Sequence, residues 1–143
     1  MERIGNERTG ANNLVLQVAG GQLIEQGTMV ALNTDGYAVP AAKAADLVIA
    51  GVAQSYADNR QGGDGAEVVS VRRGAFVMAG DNTIHEKDLL KTAYMVNATT
   101  LTLTAEGSSP VGAILEVAAD GVTVQVGTMG MDIIVNVPVT PGA

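Results

Sequence analysis

Short apolar runs alternate with turn residues along the whole chain, and a new run begins about every ten residues. The clearest run lies at 120–126, where Val122, Val124 and Val126 occupy every second position after an Asp-Gly pair. Because alternate side chains of a strand lie on one face, this pattern predicts a half-buried strand. The spacing favours an all-β fold, either a small barrel or a β-sandwich, over alternating strands and helices.

Two Asp-Gly pairs lie between apolar runs, at Asp35-Gly36 and at Asp120-Gly121. Glycine accepts the positive φ that a tight turn requires, so each pair predicts a β-hairpin. Pro40 follows the first hairpin and has no N–H to donate. We therefore expect Pro40 to end its strand or to lie at a sheet edge.

Three segments are less strand-like. Residues 41–47 favour helix but are too short for a stable one, so they predict a loop or a single helical turn. Residues 54–65 predict a polar loop, and residues 83–92 a weak helical turn. Further on, Leu101 and Leu103 alternate with threonines, which predicts a strand with one polar face.

The two halves of the chain can be laid over each other. The separation between matched residues falls from 64 to 53 along the chain, so the match requires deletions. Two explanations stay open, an internal duplication and the coincidence of common β-turn residues. The matched pairs are Asn33 with Asn97, Ala41 with Ala105, Gly51 with Gly112, and Gly74 with Gly127.

Composition narrows the possible functions. The chain has 143 residues, the size of one domain, and carries no Cys and a single His. These counts exclude disulfides, thiol catalysis and zinc sites built from Cys or several His. The net charge of −7 disfavours binding to nucleic acid and to anionic membranes. We see no signal peptide and no apolar run long enough to cross a membrane, so we expect a soluble domain made in the cytoplasm.

Candidate chemistry is sparse. His85 lies among charged neighbours with no nucleophile implied, which predicts a solvated surface residue. Each Asp-containing turn supplies too few carboxylates for a calcium loop. We expect no catalytic residue, no cofactor and no metal, and therefore no enzyme.

Residues 1–13 are polar, with Met1 and Ile4 as their only large apolar side chains. Such a segment cannot bury enough apolar surface to order itself. It predicts either a frayed terminus or a flexible arm that orders on a partner, attached to a single β-rich domain at 14–143.

The order of motifs along residues 20–127 resembles that of bacteriophage capsid decoration, or cement, proteins. The polar N-terminal segment is also similar to the arms of small head-decoration proteins. The motifs are G-x-x-V at 27–30, GYAVPA at 36–41, AGVA at 50–53, VRRGAFV at 71–77, DLLKTAY at 88–94, PVGAILEV at 110–117 and DGVTVQV at 120–126.

The resemblance implies a structural virion protein without catalytic motifs. It would bind the outer surface of the phage head and bridge subunits of the major capsid protein, as a homotrimer at three-fold or quasi-three-fold positions. In the arm, Arg3, Ile4 and Arg8 are the expected capsid-binding residues. The alternatives are another phage virion component, such as a head-fibre base or tail module, and a small ligand-binding β-domain.

Overall fold

A computed structural model describes residues 12–127, which form twelve strands and one turn of 3-10 helix at Glu86–Asp88. No helix in this part of the chain is long and apolar enough to cross a membrane. The strands are β1 (Asn13–Gln17), β2 (Leu23–Ile24), β3 (Met29–Leu32), β4 (Ala38–Pro40), β5 (Val48–Ala53), β6 (Ala57–Asp58), β7 (Val68–Arg72), β8 (Gly74–Gly80), β9 (Thr92–Met95), β10 (Thr100–Thr102), β11 (Pro110–Ala118) and β12 (Gly121–Val126).

The strands divide into two successive units. In the first unit, residues 12–73, a five-stranded sheet has the order β1-β7-β5-β3-β4, and β2 pairs with β6 beside it. In the second unit, residues 74–127, five strands form a closed barrel with the order β8-β12-β11-β9-β10. The all-β fold and the barrel are therefore confirmed.

The two units repeat one topology. In chain order, β1, β3, β4, β5 and β7 of the first unit correspond to β8, β9, β10, β11 and β12 of the second. Each strand then has corresponding neighbours in both units. The repeat inferred from the sequence is therefore present in the fold.

The correspondence extends to single residue pairs at the barrel closure. In the second unit, β8 and β10 close the barrel through a parallel pairing that includes Gly80 and Leu101. In the first unit, an isolated parallel bridge joins Val18 to Ala38 at the corresponding place. The sheet of the first unit therefore also returns on itself, although at one point only.

The same irregularity interrupts both units. Val30 of β3 pairs with Gly51 of β5, and the register shifts at the next residue of β3. Ala93 of β9 pairs with Gly112 of β11, and the register shifts there too. A β-bulge conserved between the halves agrees with a common origin, because bulges are designed features of a fold.

Two apolar cores account for the packing. One lies inside the first unit and contains Val30, Ala53 and Val71. The other fills the second unit and also includes Met29 and Ala31, which flank Val30 on β3. Both faces of β3 are therefore buried, one inside its own unit and one against the other unit.

Most of the local predictions hold. Both Asp-Gly hairpins form, Pro40 ends the edge strand β4, and residues 41–47 are a loop without a helical turn. The predicted arm includes one residue too many, because Asn13 already pairs with Arg72 as the first residue of β1. Residues 1–11 and 128–143 lie outside the described residues.

Three details of the sequence interpretation are wrong. The loop predicted at 54–65 contains β6, which pairs with β2. Thr102, expected on a polar face, is buried, and its hydroxyl accepts the N–H of Thr104. The match of Asn33 with Asn97 is one residue out of register, since the hairpin bond from Asn33 N to Tyr37 O corresponds to the bond from Val96 N to Thr100 O.

Candidate docking surfaces

Both ends of the described chain meet beside one arginine. The backbone N–H of Arg73 donates to the carbonyl oxygen of Asn12 at 2.8 Å. A Cβ on Gly127 would lie 3.0 Å from the guanidinium carbon of Arg73. We call this place, defined by Asn12, Arg73 and Gly127, the terminal pole. Residues 1–11 and residues 128–143 are attached to the body at this one pole.

The terminal pole is the basic end of an acidic protein. Arg72 is exposed on β7 beside Asn13, next to the arginine of the pole. Arg3 and Arg8 belong to the segment attached there, which also carries Glu2 and Glu7, so the basic character of this end comes from Arg72 and Arg73. The net charge of the whole chain is −7, so most of its surface repels an acidic partner. An acidic partner surface would therefore be expected to bind at this end, where Arg72 and Arg73 are neighbours.

The residues predicted to bind the capsid, Arg3, Ile4 and Arg8, lie outside the described residues. The structure therefore describes the place on the body where the arm begins.

Eight large apolar side chains of the described residues are exposed, and five of them are relevant here. Val15 of β1 and Val77 of β8 occupy corresponding positions and are 70% and 55% exposed. Leu89, Leu90 and Leu115 are 50%, 75% and 42% exposed. Leu90 lies beside Leu115, because its N–H donates to the carbonyl of the residue before Leu115, at 2.7 Å. Exposed apolar groups of this size are typical of contact surfaces.

Leu90 is exposed at a conformational cost. Its φ of 67° lies in the left-handed region. Among residues 12–127, Leu90 alone has a positive φ without being glycine. The corresponding residue of the first unit is Gly27, with a φ of 88°. The hydrogen bonds agree, since Gly27 N donates to Ala53 O as Leu90 N donates to Ile114 O. Sequence reasoning missed this leucine. The signal is that the repeat, once aligned, places Leu90 at the position that glycine occupies in the first unit.

The expected surface position of His85 is confirmed, since its side chain is 65% exposed. Its backbone N–H donates to Asp88 Oδ2 at 2.7 Å, and Lys91 Nζ lies 2.9 Å from Asp88 Oδ1. The bond from Lys91 and then the bond from His85 lower the pKa of the Asp88 carboxyl below its usual range. This cluster closes a turn.

Asp58 and Asp64 have structural partners. Asp64 Oδ1 accepts the N–H of Gly20 at 2.8 Å. The Asp58 carboxylate accepts two hydrogen bonds from the Arg60 guanidinium, which lower the pKa of Asp58 to about 2. Among residues 12–127, no group of three or more His, Asp or Glu side chains could hold a metal ion.

The surface of residues 12–127 includes the following two open depressions. One of about 300 Å³ lies where β8 meets the β11–β12 turn, with Asp81 and Asp120 at its wall. The other, of about 370 Å³, lies on the first unit between the β3–β4 turn and the loop before β5. Both are open to solvent, unlike the enclosed clefts that small ligands usually occupy.

Comparisons with family models, curated proteins and solved structures found no match to this chain.

Proposed function

We propose that this protein is a bacteriophage capsid decoration protein that stabilises the assembled head from outside. It binds the major capsid protein and bridges neighbouring subunits, and it acts as a homotrimer at three-fold or quasi-three-fold positions of the virion. The proposal rests first on the order of sequence motifs that resembles this family, and it gives the chain a structural role without catalysis.

The observation that best supports the proposal is the terminal pole. The β body carries a polar arm and a second terminal segment at the end where Arg72 and Arg73 lie. An arm that orders on docking can spread contacts over several subunits, at the cost of ordering it. Arg3 and Arg8 supply charge-assisted bonds to acidic groups of the capsid, and Ile4 supplies the apolar contact.

The test is co-sedimentation of the purified chain with expanded heads that lack decoration, with unexpanded proheads beside them. We expect saturable binding to the expanded heads and a higher temperature of head disruption. Deletion of residues 1–11 should abolish binding while the circular dichroism spectrum of the body stays unchanged. The double variant R3A/R8A should weaken binding and flatten its salt dependence.

The matched control is Arg60→Ala, which removes an exposed arginine from a loop of the first unit. We expect R60A to bind heads as the unaltered chain does. Full occupancy by the chain without residues 1–11 would refute the role of the arm. A failure of the unaltered chain to bind cognate expanded heads would refute the decoration function and favour another virion component.

A further inference from the structure

Strand β1 is paired along only one edge in the described chain. β7 pairs with it from Asn13 to Gln17, and β1 is the first strand of its sheet. The bridge from Val18 to Ala38 lies just beyond the last residue of β1. We call the second edge of β1, from Asn13 to Gln17, the open edge. Edge strands of this kind tend to recruit further strands, so proteins usually cover them.

The hydrogen bonds to β7 determine which backbone groups face the open edge. Val18 N donates to Glu67 O at 2.9 Å. At the start of the strand, Asn12 O accepts the N–H of Arg73, so the even-numbered residues bond to β7. In an antiparallel pair, the residues between them direct their N–H and C=O groups to the other side. The N–H and C=O of Val15 therefore face the open edge, and its side chain is exposed.

The core is incompletely covered beside the open edge. Leu16 packs against the core of the first unit and is only partly buried. Its counterpart in the second unit, Met78, is buried. There β10 pairs with β8 at the next two residues, Ala79 and Gly80. The first unit has a single bridge at the corresponding place, so a further strand would complete its cover.

Residues 128–143, here called the tail, start close to the open edge. Gly127 lies next to Arg73 at the terminal pole, where β1 also begins. β12 contacts β5, which lies on the other side of β7 from β1. To reach the open edge the tail has to pass β7 and β1, which takes about three strand spacings, or about 14 Å. The five residues 128–132 span about 17 Å when extended. The residues after them can therefore run along β1 from its first residue, parallel to it.

A parallel strand at the open edge has a fixed relation between backbone and side chain. Neighbouring residues of two paired strands have their side chains on the same face of the sheet. In a parallel pair, only one of two such neighbours directs its N–H and C=O towards the other strand. A tail residue beside Val15 therefore directs its side chain to solvent and its N–H away from β1. The next tail residue donates to β1 and points its side chain to the core.

The sequence of the tail meets both conditions. Residues 133–139 are apolar except for Asn136. With Asn136 and Pro138 facing solvent, the missing N–H of Pro138 lies on the outer edge, where it costs no bond. Val135 and Val137 then bond to β1 and extend the apolar core. An antiparallel strand cannot meet both conditions, because there the residues that direct N–H away from β1 are those whose side chains point to the core.

We propose that residues 133–139 add to the open edge of β1 of the same chain as a parallel strand, and so complete the cover of the first unit. The tail of the same chain is the occupant because it starts within reach, which gives it a high effective concentration relative to a second copy. Charge agrees, since Asp132, the only charged residue of the tail, then passes the exposed Arg72 at the terminal pole. The inference does not rest on capsid binding.

The first test uses the absence of cysteine, since introduced thiols are then the only ones. The full-length variant V15C/N136C is treated with a short bis-maleimide at low micromolar concentration. The linker tolerates a shift of two residues along the strand, about 7 Å. We expect a link within one chain, identified by intact mass and peptide mapping. The matched control V77C/N136C, at the corresponding exposed valine of β8, should stay unlinked.

Three results of the linking experiment would overturn the proposal. The first is the absence of a link in V15C/N136C, and the second is equal linking in the control. The third is a linked dimer in place of the internal link, which would assign the open edge to the tail of a second copy.

The second test follows amide hydrogen exchange of Val15 by NMR in the full chain. Its N–H should be protected, because the tail accepts it. Val135→Asp places a charge on the core side of the new strand and should speed this exchange at least tenfold. Asn136→Asp adds the same charge one residue further on, towards solvent, and should leave the exchange unchanged. Equal effects of the two substitutions, or an unprotected Val15 amide in the unaltered chain, would contradict the proposal.

Discussion

The left-handed conformation of Leu90 gives a prediction that depends on the backbone alone. Leu90 has a φ of 67°, while Leu89 beside it has a φ of −60°. Alanine and glycine both remove the leucine side chain, so comparing these two substitutions at one position cancels the loss of burial. What remains is the difference between a residue with a Cβ and one without.

The sign of that difference should reverse between the two neighbours. At Leu90 a Cβ in the left-handed region costs about 1–2 kcal/mol. Glycine destabilises the fold by about 0.5–1 kcal/mol relative to alanine, because its backbone loses more conformational entropy on folding. L90G should therefore be more stable than L90A by about 0.5–1 kcal/mol. At Leu89 only the entropic cost applies, so L89G should be less stable than L89A by about 0.5–1 kcal/mol.

The assay is urea unfolding of the four variants at low micromolar concentration, where association contributes little. Their m values should agree, so that shifts in midpoint report stability alone. If glycine is the less stable substitution at both positions, the left-handed backbone of Leu90 carries no strain and the reasoning fails. The substitution Gly27→Ala supplies an internal check, since it should cost about 1 kcal/mol at the corresponding residue of the first unit.

Other predictions follow from close packing, buried polar groups and charge. Gly112→Ala should destabilise the fold by at least about 4 kcal/mol or prevent folding, because its Cβ would overlap a backbone carbonyl of β12, while Gly63→Ala, with open space, should be nearly neutral by thermal unfolding. Asn59→Ala should cost about 3 kcal/mol in urea unfolding, because the two N–H bonds of the buried amide are shared among three backbone carbonyls at 2.8–3.1 Å. The pKa of Asp88 is lowered in the fold, so the unfolded chain binds this proton more readily. The contribution of Asp88 to the free energy of unfolding is therefore complete above about pH 4 and is lost as the pH falls further. Lys91→Met should flatten that acid limb in a pH series of unfolding midpoints, and an unchanged limb would contradict the pairing.

The sequence was informative where local rules decide the structure. The hairpin at Asp35-Gly36 follows from turn chemistry that acts over a few residues. Strand β12 follows from the alternation of valines, which needs no knowledge of the partner strand. The end of β4 at Pro40 follows from a missing N–H.

Long-range features escaped the sequence. Thr102 appeared to belong to a polar face, yet it is buried because β10 lies between β8 and β9 in the closed barrel, where its hydroxyl lies 3.3 Å from the hydroxyl of Thr83. Asn59 appeared to be a loop residue, yet its amide joins carbonyls about forty residues away in sequence. Such contacts depend on how the sheet curves, which no short window of sequence contains.

The candidate surfaces divide in the same way. The composition of residues 1–13 pointed to the arm, and Arg3, Ile4 and Arg8 stay predictions. The terminal pole could not be predicted, because it depends on Arg73 lying next to both Asn12 and Gly127.

The repeated fold also has a consequence for how the two halves can differ. In a dimer of identical single-unit chains, every substitution would appear in both subunits at once. Within one chain that constraint is absent, so corresponding positions can carry different residues, as Leu90 and Gly27 do. The two halves are also joined covalently, so their encounter does not depend on protein concentration.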